Sequence, residues 1–394
     1  MTGARGTLTI SIHELLPVHT PNGHGREFCH MRKHAIILAG ATALRAVRRE
    51  RRISGEVSWS PVEAHEQPEV LNRATCLNSL IDLDDFRRMG ILDDSGFLEV
   101  AVAPCARRSA ARPVHVRAIS SLGEGALMRI GEGIYSLSPA ALMLDLAPSL
   151  TFEELLGLAE ELCGCWSLPD CRLEPDEIEE SLDFLGKPCG YFECKPALTI
   201  EELEEYRAGA ARAHGRNAAE TVARNAIGGS RSPMEAIMNC MFALPHCYGG
   251  FGCGRIQPNC KIEMDATAQI LSGLPYILAD AYLPKLNAIL EYNGSYHDEA
   301  CVRRRDEART LGLMSMGIDV YRLNSDQLRD VDALESVARM MYKRAGRYFR
   351  PRAASYQERR VTLLAELRKA LGLDREMEPA RLRIGEQMTN FQDM

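Results

Sequence analysis

The chain has 394 residues, 46% hydrophobic and 26% charged, an ordinary globular balance with room for two or three domains of roughly 100–200 residues each. That composition excludes a disordered, collagen-like or coiled-coil chain. The formal net charge of −7 argues against a wholly basic nucleic-acid coat, although an acidic middle and a basic end lie beneath that sum.

No apolar run approaches the ~18–20 residues of a membrane span. The longest candidate, Ala35-Ile36-Ile37-Leu38-Ala39, is bounded by charge, so no membrane association is expected. Met31-Arg32-Lys33 before it resembles the start of a signal peptide, but Arg45 and the Arg48–Arg52 cluster stand where a cleavage site belongs. Thirteen cysteines, an odd count without framework spacing, fit reduced thiols and a cytoplasmic protein. Two groups, Cys163, Cys165, Cys171, Cys189 and Cys194, and His246, Cys247, Cys253 and Cys260, raise zinc. Neither contains a CxxC pair, and zinc is not expected.

Residues 1–30 carry Pro17, Pro21, Gly23 and Gly25 without periodicity and read as a poorly ordered leader. Helical spacing covers Lys33–Arg52. Short strands are expected at Val57–Trp59, Val100–Ala103, Pro113–Ile119 and Gly133–Ser136. Ser138-Pro139 then opens a helix through Leu146. Thr151 with Glu154 forms a capping box for a helix to about Cys163. Residues 166–200, rich in proline, read as an irregular connection with one short acidic helix at Glu177–Phe184, followed by a polar helix over Ile200–Ala226. Gly228-Gly229-Ser230 breaks it, and a domain boundary is placed near 200–230. Beyond lie a helix from Pro233 to about Leu244, strands near 260–268, 276–283 and 287–293, a helix from about Asp298 to Met316, and a strand Ile318–Leu323. The tail Val337–Leu371 is helical and basic, and its Val361, Leu363, Leu364 and Leu367 are expected to dock it with a basic outer face. The fold class read from this order is α/β, with α+β character in the N-terminal half.

Two apolar strands, Tyr276–Leu283 and Asn287–Asn293, each contain one acid. A symmetric turn between Lys285 and Leu286 makes position i oppose position 571 − i, which sets Asp280 against Glu291 with Cβ atoms roughly 4.5–5.5 Å apart. Like charges so placed require a proton or a cation between them. Asn293, two residues past Glu291, shares its face. Paired carboxylates suit Mg²⁺ (or Mn²⁺), which binds oxygen ligands and phosphates, and the matching chemistry is phosphodiester hydrolysis.

The order Ser232-Pro233-Met234-Glu235, Asp280, Glu291-Tyr292-Asn293-Gly294, His297, Arg305-Asp306-Glu307-Ala308-Arg309, and Gly317-Ile318-Asp319-Val320-Tyr321-Arg322 resembles the PD-(D/E)XK nuclease superfamily, in the branch similar to very-short-patch-repair endonucleases. The resemblance covers about residues 229–330. It implies a restriction-endonuclease-like core of a mixed sheet flanked by helices, with Glu235, Asp280 and Glu291 holding the catalytic metal and DNA as partner. His297, Arg304, Arg305 and Arg309 are the implied nucleic-acid contacts. Glu235 has a second reading as the closing residue of a capping box begun by Ser232, and His297 has one as a structural histidine. At position 293 the superfamily's lysine is replaced by Asn293, a neutral amide that orients water but cannot serve as a base.

Upstream, His34–Ala43, Tyr135–Ala147 and Glu160–Gly164 resemble the abortive-infection antitoxin family, which implies a toxin–antitoxin or defence context. The expected organisation is therefore a leader (1–30), an antitoxin-like α+β domain (31–165), an irregular and helical connection (166–228), a restriction-endonuclease-like domain (229–330) and a basic helical tail (331–394). Two functions follow: a metal-dependent DNA endonuclease, or a catalytically inactive DNA-binding or antitoxin-like regulator that keeps the nuclease fold. No residue pattern sets an oligomeric state.

Overall fold

The computed structural model describes residues 35–68, 81, 83–92, 97–103, 114–119, 122–169, 190–210, 213–293, 300–351 and 355–373, and at 300–304 the backbone alone. The leader, the acidic helix expected at Glu177–Phe184 and His297 lie outside the described residues. Helices and mixed sheets make the chain α/β. Among the described residues no helix is long and apolar enough to cross a membrane.

Two compact units divide the chain. One holds the described residues up to Pro148, with Pro169 and Glu193–Glu220; the other holds Ser149–Leu168, 190–192 and everything from Thr221. The division thus assigns the helix after Thr151 to the second unit rather than to the stretch 31–165, and the basic tail to that unit as well.

The first unit is built on a six-stranded sheet. Its strands are β1 (Ile36–Leu38), β2 (Ser60–Pro61), β3 (Leu98–Val102), β4 (Val114–Ala118), β5 (Leu127–Gly131) and β6 (Ile134–Leu137), in the order β2-β5-β6-β1-β3-β4. β1 lies inside the sheet, parallel to β6 and antiparallel to β3. Ile36–Leu38 is thus a strand, where the sequence reads as helix from Lys33. A short all-apolar run suits a strand buried on both faces, and Gly40, at φ +55°, marks the change to α1 (Gly40–Ser54). The strand expected at Val57–Trp59 falls instead at Ser60–Pro61. α2 (Leu83–Arg88) follows, and α3 (Pro139–Leu146) starts as expected, with Ser138 Oγ accepting from Ala141 N and proline in the first turn.

α4 (Phe152–Leu162) opens on the complete Thr151–Glu154 capping box. After the short strands β7 (Trp166–Ser167) and β8 (Phe192–Glu193), the single helix expected over Ile200–Ala226 divides into α5 (Ile200–Gly209) and α6 (Arg216–Ala223), with Gly215 at φ +88° before the second.

The second unit's sheet contains β9 (Gln257–Glu263), β10 (Tyr276–Leu283), β11 (Ala288–Asn293) and β12 (Asp319–Asn324), ordered β12-β11-β10-β9. The β10–β11 and β9–β10 pairs are antiparallel, while β11 and β12 run parallel. The helices are α7 (Pro233–Ala243), α8 (Ala266–Ser272), α9 (Ala300–Ser315), α10 (Val331–Arg344) and α11 (Ser355–Ala370). The strand expected at 260–268 ends at Glu263, because Asp265 caps α8 by accepting from Ala268 N at 2.8 Å and Gly273, left-handed, stops it. Ile277, Ala279 and Ile289 of the sheet pack with Ala268 of α8 and Leu313 of α9.

The tail docks through Leu363, Leu364 and Leu367, all buried, while Val361 is exposed. α11 packs on α4 and α7, and a Cβ on Gly157 would meet Ala370 Cβ at 3.1 Å. Its cations are not all on an outer face. Arg368 is buried, and Arg360 is buried in an ion pair with Glu335, its guanidinium 5.2 Å from the Phe251 ring centre.

Candidate active site

The β10–β11 hairpin has the expected register: Ala281 opposes Leu290, Tyr282 opposes Ile289 and Leu283 opposes Ala288. Its turn is closed by Leu286 N donating to Leu283 O at 3.1 Å, with Asn287 left-handed and its Nδ2 bound to Gly317 O. One residue further from the turn this register brings Asp280 to Glu291. There Asp280 Oδ2 accepts a hydrogen bond from Tyr292 N at 2.9 Å.

Burial pushes the Asp280 carboxyl above the usual aspartate range, and the Glu291 charge pushes it further. The Tyr292 N–H, Arg309 and Arg231 pull the other way. Glu235, entering from α7, is also raised, first by burial and then by Asp280, against the hydrogen bond from Arg231 N. The charge of Glu291 thus acts on Asp280, and that of Asp280 on Glu235, which links acids from two strands and a helix. Carboxyls raised by burial and by a neighbouring carboxylate in a partly buried setting mark this end of the sheet as a candidate site.

Arginines surround the acids. Arg322 faces Glu291 across the parallel β11–β12 pair, and its Nε donates to Glu291 Oε2 at 3.1 Å. Arg309 of α9 holds Nη2 2.5 Å from Glu291 Oε1. That approach is a charge contact rather than a hydrogen bond: Oε1 has no aligned donor, and Arg309 Nη2 donates to Leu278 O at 3.0 Å. Arg322 Nη2 also donates to Thr310 Oγ1, which ties β12 to α9.

The structure assigns the residues named from sequence unequally. Asp280 and Glu291 follow the last paired residues, Ala281 and Leu290, and lie within electrostatic reach of each other. Glu235 turns to the helix start without closing a reciprocal capping box: Ser232 Oγ accepts from Glu235 N at 3.2 Å, while Glu235 Oε1 accepts from Ser232 Oγ and Oε2 from Arg231 N rather than from Ser232 N. Both of its oxygens serve the start of α7. Asn293 is exposed at the last position of β11. Arg309 lies against Glu291, and Arg305 is exposed on α9. The side chain of Arg304 lies outside the described residues. Two cations beside the acids had no role assigned from sequence, Arg231 and Arg322, the second quoted only as the end of the Gly317–Arg322 run. Arg322 was legible in principle, since it precedes buried Leu323 on an alternating strand and must point to the other face.

Oxygen donors at a partly buried hairpin fit the chemistry of a hard divalent cation at Asp280. At Glu291 the positive charge is supplied by two guanidiniums. Among the described residues no group of three or more histidine, cysteine, aspartate or glutamate side chains is arranged to hold a metal ion. No family model, curated protein or solved structure matches this chain, so the likeness to the nuclease superfamily rests on the residues that carry it.

Proposed function

We propose that the chain is a metal-dependent DNA endonuclease with a restriction-endonuclease-like core around β9–β12. The opposition of Asp280 and Glu291 across the β10–β11 hairpin carries this reading, because it keeps Asp280 beside a second carboxylate where burial and that neighbour's charge raise it. Such an arrangement is sustained by a cation or a proton between the acids.

Asp280 and Glu291 would hold Mg²⁺ or Mn²⁺, which when bound lowers the pKa of water and neutralises charge on a phosphate. Glu235 supports the site by bonding the start of α7, within reach of the Asp280 charge. Arg309 and Arg322 bind the Glu291 carboxylate in the absence of DNA, and their forked donors suit phosphate oxygens equally well. Asn293 orients water without accepting its proton.

One observation favours a second reading, a DNA-binding regulator without turnover: the Glu291 charge is met by the guanidiniums of Arg309 and Arg322, and Asn293 supplies no base. Supercoiled plasmid incubated with the protein and Mg²⁺ or Mn²⁺ separates the two. Nicking that stops with chelator and in Asp280→Ala/Glu291→Ala is expected. Retained DNA binding with no nicking by the wild type would sink the endonuclease and leave the regulator.

A further inference from the structure

Residues 343–350, where α10 ends, present an arrangement that neither the acid cluster nor the packing of the core uses. α10 stops in a Schellman motif: Gly346, at φ +66°, donates to Lys343 O at 3.1 Å, and Arg347 N donates to Tyr342 O at 2.8 Å. Phe349 then anchors the segment against His246 and Tyr342, with ring centres 5.5 and 5.4 Å apart respectively, beneath the Arg339 guanidinium at 4.8 Å.

Anchoring one residue of a short segment commits its neighbours to the other side. Tyr348 is 78% exposed, far more than a tyrosine with a packing role requires, and the Arg350 guanidinium lies 4.6 Å from its ring centre. Lys343, Arg347 and Arg350 are all exposed, and among the described residues none of them has an acidic partner. Arg344 beside them is bound to Asp319, and Arg339 to Glu335. Three exposed cations without an acidic partner among the described residues thus fall within residues 343–350 beside one exposed ring, which Arg350 contacts, in a chain of net charge −7.

We propose that Lys343, Arg347, Tyr348 and Arg350 form a docking platform for single-stranded nucleic acid, with a base stacked on the free face of Tyr348 and flanking phosphates on the three cations. A flat ring beside cations suits a strand whose bases are unpaired, because every base offers a π-face while duplex bases are already stacked. Phosphate contact by the cations gives a salt-dependent affinity. This inference rests on the nucleic-acid reading of the protein and adds a strand type and a surface remote in sequence from Asp280 and Glu291.

The test is fluorescence anisotropy of the full chain with labelled oligothymidylate, a duplex of equal length, and anionic phosphatidylserine vesicles, all in chelator so that no cleavage occurs. Tyr348→Ala is expected to weaken oligothymidylate binding about tenfold, while Tyr348→Phe retains it. Lys343→Ala/Arg347→Ala/Arg350→Ala is expected to flatten the log–log salt slope by about 2. Circular dichroism melts superimposable on wild type confirm that each variant folds. Unchanged oligothymidylate affinity in Tyr348→Ala would overturn the proposal, as would duplex or vesicle binding stronger than that of the oligonucleotide. Nicking of supercoiled plasmid with Mg²⁺ by the same Tyr348→Ala protein keeps the two readings separable: weakened oligothymidylate binding with nicking retained concerns only the platform, and Tyr348-dependent binding without nicking by the wild type concerns only the hairpin.

Discussion

Acids gather beside a helix start in both units, with opposite results. At the start of α1, Gly40 N donates to Asp145 Oδ2 at 2.9 Å and Ala41 N to Glu99 Oε2 at 2.7 Å, while Arg117 Nε lies 3.0 Å from Asp145 Oδ2. The helix dipole and one guanidinium thus balance two carboxylates. A Cβ on Gly40 would fall 1.6 Å from Glu99 Oε2, so the acids fill the space an incoming anion would need. Around the β10–β11 hairpin the same residue types leave Asp280 raised by burial and by the charge of Glu291, and Glu235 raised by burial and by the charge of Asp280. Local donors meet the acids of both clusters; what sets the second apart is that burial and a neighbouring carboxylate raise Asp280 and Glu235 in spite of them.

The largest expected effect comes from treating the two hairpin acids alike. Glu291→Gln leaves Arg309 and Arg322 facing a neutral amide in a mostly buried site, and should cost about 3–5 kcal/mol, toward the lower figure because Arg322 is partly exposed. Asp280→Asn removes a charge that burial and Glu291 already disfavour, and the amide oxygen can still accept from Tyr292 N. A neutral change or a gain of up to about 1 kcal/mol is expected. A carboxyl raised in the folded state stabilises in its protonated form, fully below its unfolded pKa, and that contribution is lost as pH rises through the folded value. The advantage of Asp280→Asn over wild type should therefore grow with pH. Urea unfolding of both variants at mildly acidic and mildly alkaline pH measures this, and equal destabilisation by the two would erase the distinction between paired and unpaired acid.

Glu160 of α4 sharpens the contrast from the other side, since it is fully closed by donors yet still strongly perturbed. Its oxygens accept from Ile227 N at 2.6 Å and Gly228 N at 3.1 Å, which pins the loop leading to Arg231 and Ser232. Burial outweighs those bonds and lifts the carboxyl from 4.5 to about 7. The protonated form is the favoured one, so the contribution is complete below 4.5 and disappears between 4.5 and about 7. The change amounts to roughly 3 kcal/mol. Glu160→Gln should flatten that part of the stability–pH curve at the expense of one backbone bond; an unchanged curve would assign the titration elsewhere.

Much of the candidate site was legible because short-range rules govern it. The hairpin register follows from one turn and period-two alternation, and the Thr151 and Ser232 starts follow from single side chains reaching the third residue on. What escaped depends on partners distant in sequence. Ile36–Leu38 is a strand because β3 and β6 flank it, and nothing within the run distinguishes it from a buried helix. The capture of Glu291 by Arg309 and Arg322 required both the α9 crossover and the parallel β11–β12 register. The burial of Arg360 and Arg368 was hidden for a related reason: charge counting assigns cations to solvent, whereas packing α11 on α4 and α7 draws its long side chains inward with its leucines.

The smallest expected effect compares two helix caps of the second unit. Thr151 Oγ1 accepts from Glu154 N at 3.2 Å and Thr151 N donates to Glu154 Oε2 at 2.9 Å, a reciprocal pair with nothing further attached. Thr151→Ala should cost about 1 kcal/mol with little dependence on pH near neutrality. Ser232→Ala removes the equivalent bond, and with it the O–H donated to Glu235 Oε1 at 3.0 Å. That donor favours the charged form of Glu235, which burial and Asp280 oppose. Without it the carboxyl rises further, and the ionised protein carries the extra cost. Ser232→Ala should therefore resemble Thr151→Ala in mild acid, at about 1 kcal/mol, and exceed it as the pH rises through the Glu235 titration. Parallel stability–pH curves for the two variants would show that Glu235 is an ordinary capping acid, uncoupled from Asp280, and would leave the hairpin pair alone as the charged centre.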